Sequence, residues 1–491
     1  MPERLREVAW LVLERPVPRR GLIRGAAATV GVSALGVLAG CSTLAKNPTP
    51  SKGPAPIVLV YAPWAQWPEI GSDWEKFVQP GLDYFQSQPA NKGIQIKLSA
   101  PGGGGNFASQ IAAGTGPDVF EDWVLAPYLN PNLVMNLDKY MQQDGVNAKI
   151  WSPGQMHALT LDTGTYFVPC YVHVDTMVVN LSNLDAMGLP YPDPEWDYTA
   201  AQAAFKAATT TVNGKAYFGF SPDFNGTSLG QSNNDTRAYA LHCFGGALMD
   251  DTRMTCTIDS PQAAQAIQWW DSLHWDGLVG TGGITGNTTY QEYGSNGLLQ
   301  AFENWGDSFK WTFFPVPKYP NGQFSFEATD YHAINAATKY PEQSWLFLKF
   351  LSAEPYWSQY CMKYLLRTPS LVSLWDQFES VVEQVTPLAK QVGIQYYTQA
   401  AQSWGLAGRT FQYEHAQAIS IVNQALAQAM QNKGQDPTPV LTAAAQAVNA
   451  LVAQGAQVAA KASGTSSSSS GASSSSSASG SSSAASSVSK A

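Results

Sequence analysis

Ile57-Val58-Leu59-Val60-Tyr61 is an unbroken apolar run rich in β-branched residues, and the chain repeats its logic twice before residue 121. So short and apolar a run reads as a buried strand. Behind it, residues 71–88 place Trp74, Phe77, Val78, Leu82 and Phe85 at mostly helical spacing. Ile94-Gln95-Ile96-Lys97-Leu98 then alternates like a half-buried strand. After Pro101-Gly102-Gly103-Gly104-Gly105 comes a short helical stretch, 106–113, and the turn Gly116-Pro117-Asp118 delivers Val119-Phe120 into a third strand. Strand, helix, strand, helix, strand predicts an α/β unit built on a parallel sheet. The pattern recurs with strands at 166–169 and 176–180, a helix at 199–208 and a strand at 217–220. From Pro341 to Gly455 helical patterns dominate.

A chain of 491 residues exceeds one simple core, so two or three domains or a single two-lobed body is expected. Its net charge of −9 excludes nucleic acid as a partner, because phosphates demand basic stripes. Charged residues make up only 13%, against roughly a quarter in ordinary globular chains, so the surface leans on neutral polar and aromatic side chains. With 16 Trp and 21 Tyr there are more large rings than a core needs, and some are expected to face a ligand.

Upstream of the first strand, Arg19-Arg20-Gly21-Leu22-Ile23-Arg24 resembles a twin-arginine export signal. The apolar segment from Gly25 to Gly40 is shorter than the roughly 20 residues of a membrane-spanning helix and suits a signal-peptide core. Leu38-Ala39-Gly40-Cys41 looks like a bacterial lipobox, whose cysteine takes a diacylglycerol and becomes the new N-terminus. A Sec lipoprotein signal shares the core and the box, so these features point to export rather than to a route. Residues 1–40 are thus expected to be a signal peptide and 41–56 the lipidated Cys41 with its linker. Residues 57–462 would form the folded part. The almost pure Ser, Ala and Gly tail, 463–491, is expected to be disordered, having too little apolar surface to offset chain entropy. Of the other cysteines, Cys243 and Cys256 flank a turn-like region and are paired here, leaving Cys170 and Cys361 by subtraction. Buried free thiols are the alternative.

Several segments resemble, in order, the extracellular solute-binding proteins of bacterial ABC importers, in their large sugar-binding branch. These are the aromatic loop Tyr61-Ala62-Pro63-Trp64, then Gly114-Thr115-Gly116-Pro117-Asp118-Val119, then Phe167-Val168-Pro169 with Met177-Val178-Val179-Asn180. Asp250-Asp251 through Ile258-Asp259-Ser260-Pro261-Gln262-Ala263-Ala264 and Ala333-Ile334-Asn335 through Leu351 complete the succession. Val179 stands where the family usually has Tyr, and Asp330-Tyr331 where it often has Gly-Gly. The resemblance implies an α/β, two-lobed periplasmic-binding-protein-like (type II) fold hinged on crossing strands. Lobe one would hold about 57–172 plus 310–355, and lobe two about 175–305 plus 360–455. It also implies a monomer without catalytic residues, cofactor or metal, tethered to the outer face of the cytoplasmic membrane, that passes a carbohydrate to the permease of an ABC transporter.

Sugar rings need flat apolar faces and planar hydrogen-bonding groups, and ligands of open α/β sheets gather at the carboxyl ends of strands. Candidates on such loops are Trp64 and Trp67, then Glu121, Asp122 and Trp123, then Trp305 and Asp307. A second set is Tyr171, Asp223, Asn225, Tyr331, Trp404 and Arg409. The glycines 102–105 do not make a dinucleotide loop, since G-x-G-x-x-G fails at Phe107, and no Walker lysine follows. The six histidines show no metal-ligand spacing, and G-x-S-x-G is absent. Two alternatives stand beside sugar capture. One is an exported glycoside hydrolase or lyase using Glu121 and Asp122; the other is a polyamine- or peptide-binding relative.

Overall fold

The computed structural model describes residues 56–63, 74–99, 103–129, 132–222, 234–280, 283–294, 298–328 and 330–464. Residues 1–55, where the export signal, the lipidated Cys41 and the linker are expected, lie outside them, as do Trp64, Trp67, Asp223, Asn225 and the tail from 465. None of the described helices is long and apolar enough to cross a membrane.

Five strands form the first sheet: β1 (Ile57–Ala62), β2 (Ile94–Leu98), β3 (Val119–Asp122), β4 (Phe167–Pro169) and a late strand, Tyr331–Ile334. β1 lies between β2 and β3 and is parallel to both, as the strand–helix–strand reading requires. The late strand is antiparallel to β3 and β4. Helix Trp74–Ser87 turns Phe77, Val78, Leu82 and Phe85 inward, the spacing of one helical face. They meet Phe347 and Phe350 of helix Pro341–Ser352 and Trp357 of helix Pro355–Leu365 in one core with Leu59 and Tyr61. Each large side chain so buried contributes about 1.5–3 kcal/mol.

The second sheet is organised by β5 (Tyr171–Asn180), a ten-residue strand that is buried at nine of its positions. Its partners are β8 (Thr288–Gly294), β9 (Trp311–Phe314), β10 (Ser325–Ala328) and β12 (Thr368–Pro369). β6 (Thr210–Val212) and β7 (Lys215–Ser221) extend it beyond β8, and β13 (Gly405–Ala407) beyond β10. The late strand of the first sheet is β11 in this order. Helices Pro261–Trp275, His415–Ala429 and Thr438–Gly464 supply the apolar core against it.

These pairings move two boundaries. Residues 311–328 belong to the second sheet, not to the first lobe, because β9 and β10 both hydrogen-bond to β5. The first lobe also keeps helix Pro355–Leu365, whose Trp357, Cys361 and Leu365 sit in its core. The apolar pattern of Trp311-Thr312-Phe313-Phe314 announces a strand without naming its partner. The expected Cys243–Cys256 bridge is not formed: Cys170, Cys243, Cys256 and Cys361 are all buried thiols outside any disulfide. Both Cys243 and Cys256 behave as small apolar residues in the second core.

A largely enclosed imidazole, His415, contributes to the acid sensitivity of this fold. The Phe411 amide donates to His415 Nδ1 at 3.1 Å, which requires a neutral ring. Burial, and then the charge of Arg237, pushes His415 down to about 4. An unfolded imidazole titrates near 6.5, so between roughly pH 6.5 and 4 the unfolded chain binds more protons and stability falls as pH falls, by at most about 1.4 kcal/mol per unit. Urea midpoints from pH 7.5 to 5 should fall less steeply for His415→Gln, whose amide oxygen can still accept from Phe411. Equal slopes would rule out this titration.

Candidate functional site

Asp122, the last residue of β3, is 1% exposed and accepts hydrogen bonds from five donors. Four are backbone amides: Gly104 at 2.9 Å, Gly105 at 3.1 Å, Trp123 at 2.7 Å and Val124 at 3.1 Å. The fifth is the Tyr128 hydroxyl at 2.7 Å. Gly104 and Gly105 aim their amides this way with φ of +67° and +84°, a region that favours glycine, and a Cβ at 105 would also strike Pro127. Burial raises the Asp122 carboxyl, opposed by the Tyr128 hydroxyl and the amides. The glycine run is therefore an ordered nest around a carboxylate rather than a phosphate cradle.

That nest fixes the backbone of Trp123, a residue that is 45% exposed and whose ring approaches Gly104. Trp123 stands at the carboxyl edge of β1 and β3, where the chain crosses between sheets. One crossing is Cys170, between β4 and β5; the second includes Asp330, between β10 and β11; the third is Arg367, between helix Pro355–Leu365 and β12. The Cys170 amide donates to the Asp330 carbonyl at 3.0 Å. Ser370 Oγ donates to the Cys170 carbonyl at 3.1 Å. Gln155 Nε2 donates to the carbonyls of Tyr171 at 2.8 Å and Ala328 at 3.1 Å. Three chain passages are thereby bundled into one hinge.

Under the hinge, Tyr61 donates to Glu121 Oε2 at 3.4 Å and lies 3.3 Å from His332 Nε2. His332 Nδ1 is 2.8 Å from Ser352 Oγ and 3.2 Å from Cys170 Sγ. Burial pushes His332 down to about 3, so the ring is neutral and its 3.9 Å approach to Glu121 is no ion pair.

The candidates from sequence are therefore dispersed. Glu121 and Asp122 are not loop residues: both end a strand, buried, with Asp122 committed to its nest. Tyr331 is fully buried and donates to the Val124 carbonyl at 2.9 Å, so its ring is core. Trp305 is packed among Tyr293, Phe309 and Trp311 and is also core. Asp307 is exposed just past helix Leu298–Asn304. Tyr171 is buried at the hinge, with the Arg367 guanidinium 4.5 Å from its ring centre. Trp404 is half-buried against the core of the second lobe, and Arg409 Nη1 lies 3.2 Å from Asp251. Only Trp123 offers a broad ring to solvent among the described candidates. Sequence reasoning missed His332, Cys361 and Arg367, because segments far apart in the chain bring them together and no local spacing marks them.

The sequence profile of the bacterial extracellular solute-binding proteins matches residues 64–356, more than half of the chain, and the chain belongs to that family. No curated protein matches it by sequence. Among solved structures, the cyclic α-maltosyl-1,6-maltose binding protein of Arthrobacter globiformis is similar, with a TM-score of 0.66 at 15% identity, over 82% of this chain and 100% of that one. An ABC substrate-binding protein of Listeria monocytogenes, in complex with cycloalternan, gives 0.61 at 15% over 80% and 98%. A sugar transporter protein of Rhizobium etli in an open conformation gives 0.62 at 14% over 80% and 99%. At such identities the likeness shows the fold, two α/β lobes around a hinge.

Removing the Asp122 carboxylate strands buried donors, each costing about 1–3 kcal/mol. Asp122→Ala should lower unfolding free energy by at least about 3 kcal/mol, and Asp122→Asn by less, since one amide oxygen still accepts. A denaturant titration in which the alanine variant matches the parent would contradict this role.

Proposed function

We propose that this solute-binding protein captures a carbohydrate, an oligosaccharide in particular, and delivers it to the permease of an ABC transporter without altering it. The observation that carries the reading is Trp123: an exposed indole at the carboxyl edge of the first sheet, held by a buried carboxylate beside the hinge. Such a ring offers an apolar face to the C–H side of a pyranose at little entropic cost, because its backbone is already fixed. The solved proteins of like fold support it, since their own ligands include cyclic α-maltosyl-1,6-maltose and cycloalternan. The low charge content suits a neutral polyhydroxylated ligand. Ligand contact with both lobes would favour the closed arrangement by its differential affinity. In this reading Cys41 carries the lipid that holds a monomeric chain at the outer face of the membrane. Trp64, Trp67, Asp223 and Asn225 are proposed as further contacts.

The test uses the chain from residue 41 with Cys41→Ser, so that it stays in solution. Intrinsic tryptophan fluorescence and thermal unfolding are followed against monosaccharides, linear and cyclic maltooligosaccharides, polyamines and peptides. A saturable shift with a rise in Tm for an oligosaccharide recovered intact is expected, since a ligand that prefers the native state stabilises it. Trp123→Ala should weaken that binding about tenfold, or about 1.4 kcal/mol, while leaving Tm without ligand nearly unchanged. Consumption of the sugar, or binding of charged solutes alone, would overturn the assignment.

A further inference from the structure

Side chains from separate parts of the chain line one cavity at the hinge, among them Glu121, Cys170, Tyr171, His332, Ser358 and Cys361. Its free volume of ≈ 10 Å³ is the space of a single small occupant. Donor atoms of Glu121, Cys170 and His332 all lie within 4.8 Å of one another. The closest pair, Cys170 Sγ and His332 Nδ1, is already at 3.2 Å. Tetrahedral zinc, with bonds of about 2.0–2.3 Å, sets its donors about 3.3–3.8 Å apart, so the Cys170–His332 pair is already at that spacing and the wider pairs would close by about 1 Å as the side chains turn onto the ion.

A second observation points to an occupant. The hydroxyls of Tyr171 and Ser358, on residues more than nine-tenths buried, have no hydrogen-bond partner among the described residues, and both residues border this cavity. Buried hydroxyls are ordinarily satisfied.

We infer that the hinge cavity is a binding site for a thiophilic divalent cation of the zinc class, ligated by Glu121, Cys170 and His332. Cys361, from helix Pro355–Leu365, borders the same cavity outside that three-donor group, and would become the fourth donor by bringing its thiol toward the ion. Thiol, imidazole and carboxylate select zinc-like ions over calcium or magnesium, which prefer all-oxygen shells. The thiols bind as thiolates and their protons leave to solvent. Two thiolates and one carboxylate then balance the dication together with Arg367, which borders the same cavity. Ligation through Nδ1 would displace its 2.8 Å contact with Ser352 Oγ and leave Nε2 toward Tyr61, whose hydroxyl also reaches Glu121, a second shell that orients both ligands. Cys170 is the crossing residue itself, so a bound ion would tie the hinge to β3, β11 and the helix behind it. This site does not depend on which solute the cleft takes.

The reduced chain with Cys41→Ser, stripped with chelator, is dialysed against Zn²⁺, and bound metal is measured. One Zn²⁺ per chain is expected, with Cys170→Ser and His332→Gln each losing at least tenfold in affinity. Co²⁺ on the otherwise unchanged chain reports geometry and ligands without relying on any variant's folding: tetrahedral visible bands and a thiolate charge-transfer band are expected. Cys361→Ser should weaken the charge-transfer band. No stoichiometric uptake, Co²⁺ bound without a thiolate band, or uptake unchanged in well-folded Cys170→Ser would overturn the site and leave the cavity to water.

Discussion

Three passages of main chain cross from the first lobe to the second, two of them hydrogen-bonded to the third at Cys170, and the rest of the molecule is arranged around that constraint. A single residue, Cys170, separates a strand paired in the first sheet from one paired in the second. Neither strand can shift register without reversing which faces of its neighbours are buried. The Asp330 carbonyl, the Ser370 hydroxyl and the Gln155 amide satisfy the crossing backbone in a place water barely reaches. Burying backbone polar groups without such partners is costly, and this explains why polar residues are concentrated where apolar packing would otherwise be expected.

The hinge also explains the position of the exposed Trp123. Parallel strands β1 and β3 end at the same edge, and their carboxyl ends open toward the second lobe. A flexible loop there would lose conformational entropy each time it gripped a ligand. Asp122 removes that cost in advance, since its carboxylate holds the amides on both sides of the ring. Burial raises this carboxyl, and the phenol and amides that surround it offset part of that rise.

Much of the fold was legible because its signals are local. The apolar run at β1, the alternation at β2 and the helical spacing of Phe77, Val78, Leu82 and Phe85 each depend on neighbours in sequence, and the parallel order follows from them. The site was far less legible, because its chemistry is decided across the fold. Glu121 and Asp122 look like loop ligands when only Trp123 and Val124 are considered. Their burial comes from Gly104, Gly105, Tyr128 and His332, which no periodicity connects to them. Trp305 followed by Gly306 and Asp307 looks like an exposed loop, but Tyr293 and Trp311 close over its ring from two strands. The glycine run reads as a slack turn in sequence, and its left-handed backbone instead forms the nest.

The two lobes are not joined by the hinge alone. Arg253, 2% exposed, donates from Nη2 to the carbonyls of Ala158 at 2.6 Å and Thr160 at 2.7 Å, at the end of helix Pro153–Leu159. A cation at a helix C-terminus is favoured by the unpaired carbonyls and the helix dipole. Arg253 sits in the second lobe and the helix in the first, so this contact belongs to the arrangement seen here. It is made by backbone in a left-handed conformation, φ 61°, which costs an arginine energy that only a well-determined surrounding offsets. Rotation of the lobes about the crossings would expose the guanidinium and the carbonyls to water, where each finds new partners. The net penalty is thus far smaller than the gross strength of the bonds. Arg253 is therefore a second tie between the lobes beside the crossings, one whose net contribution is modest.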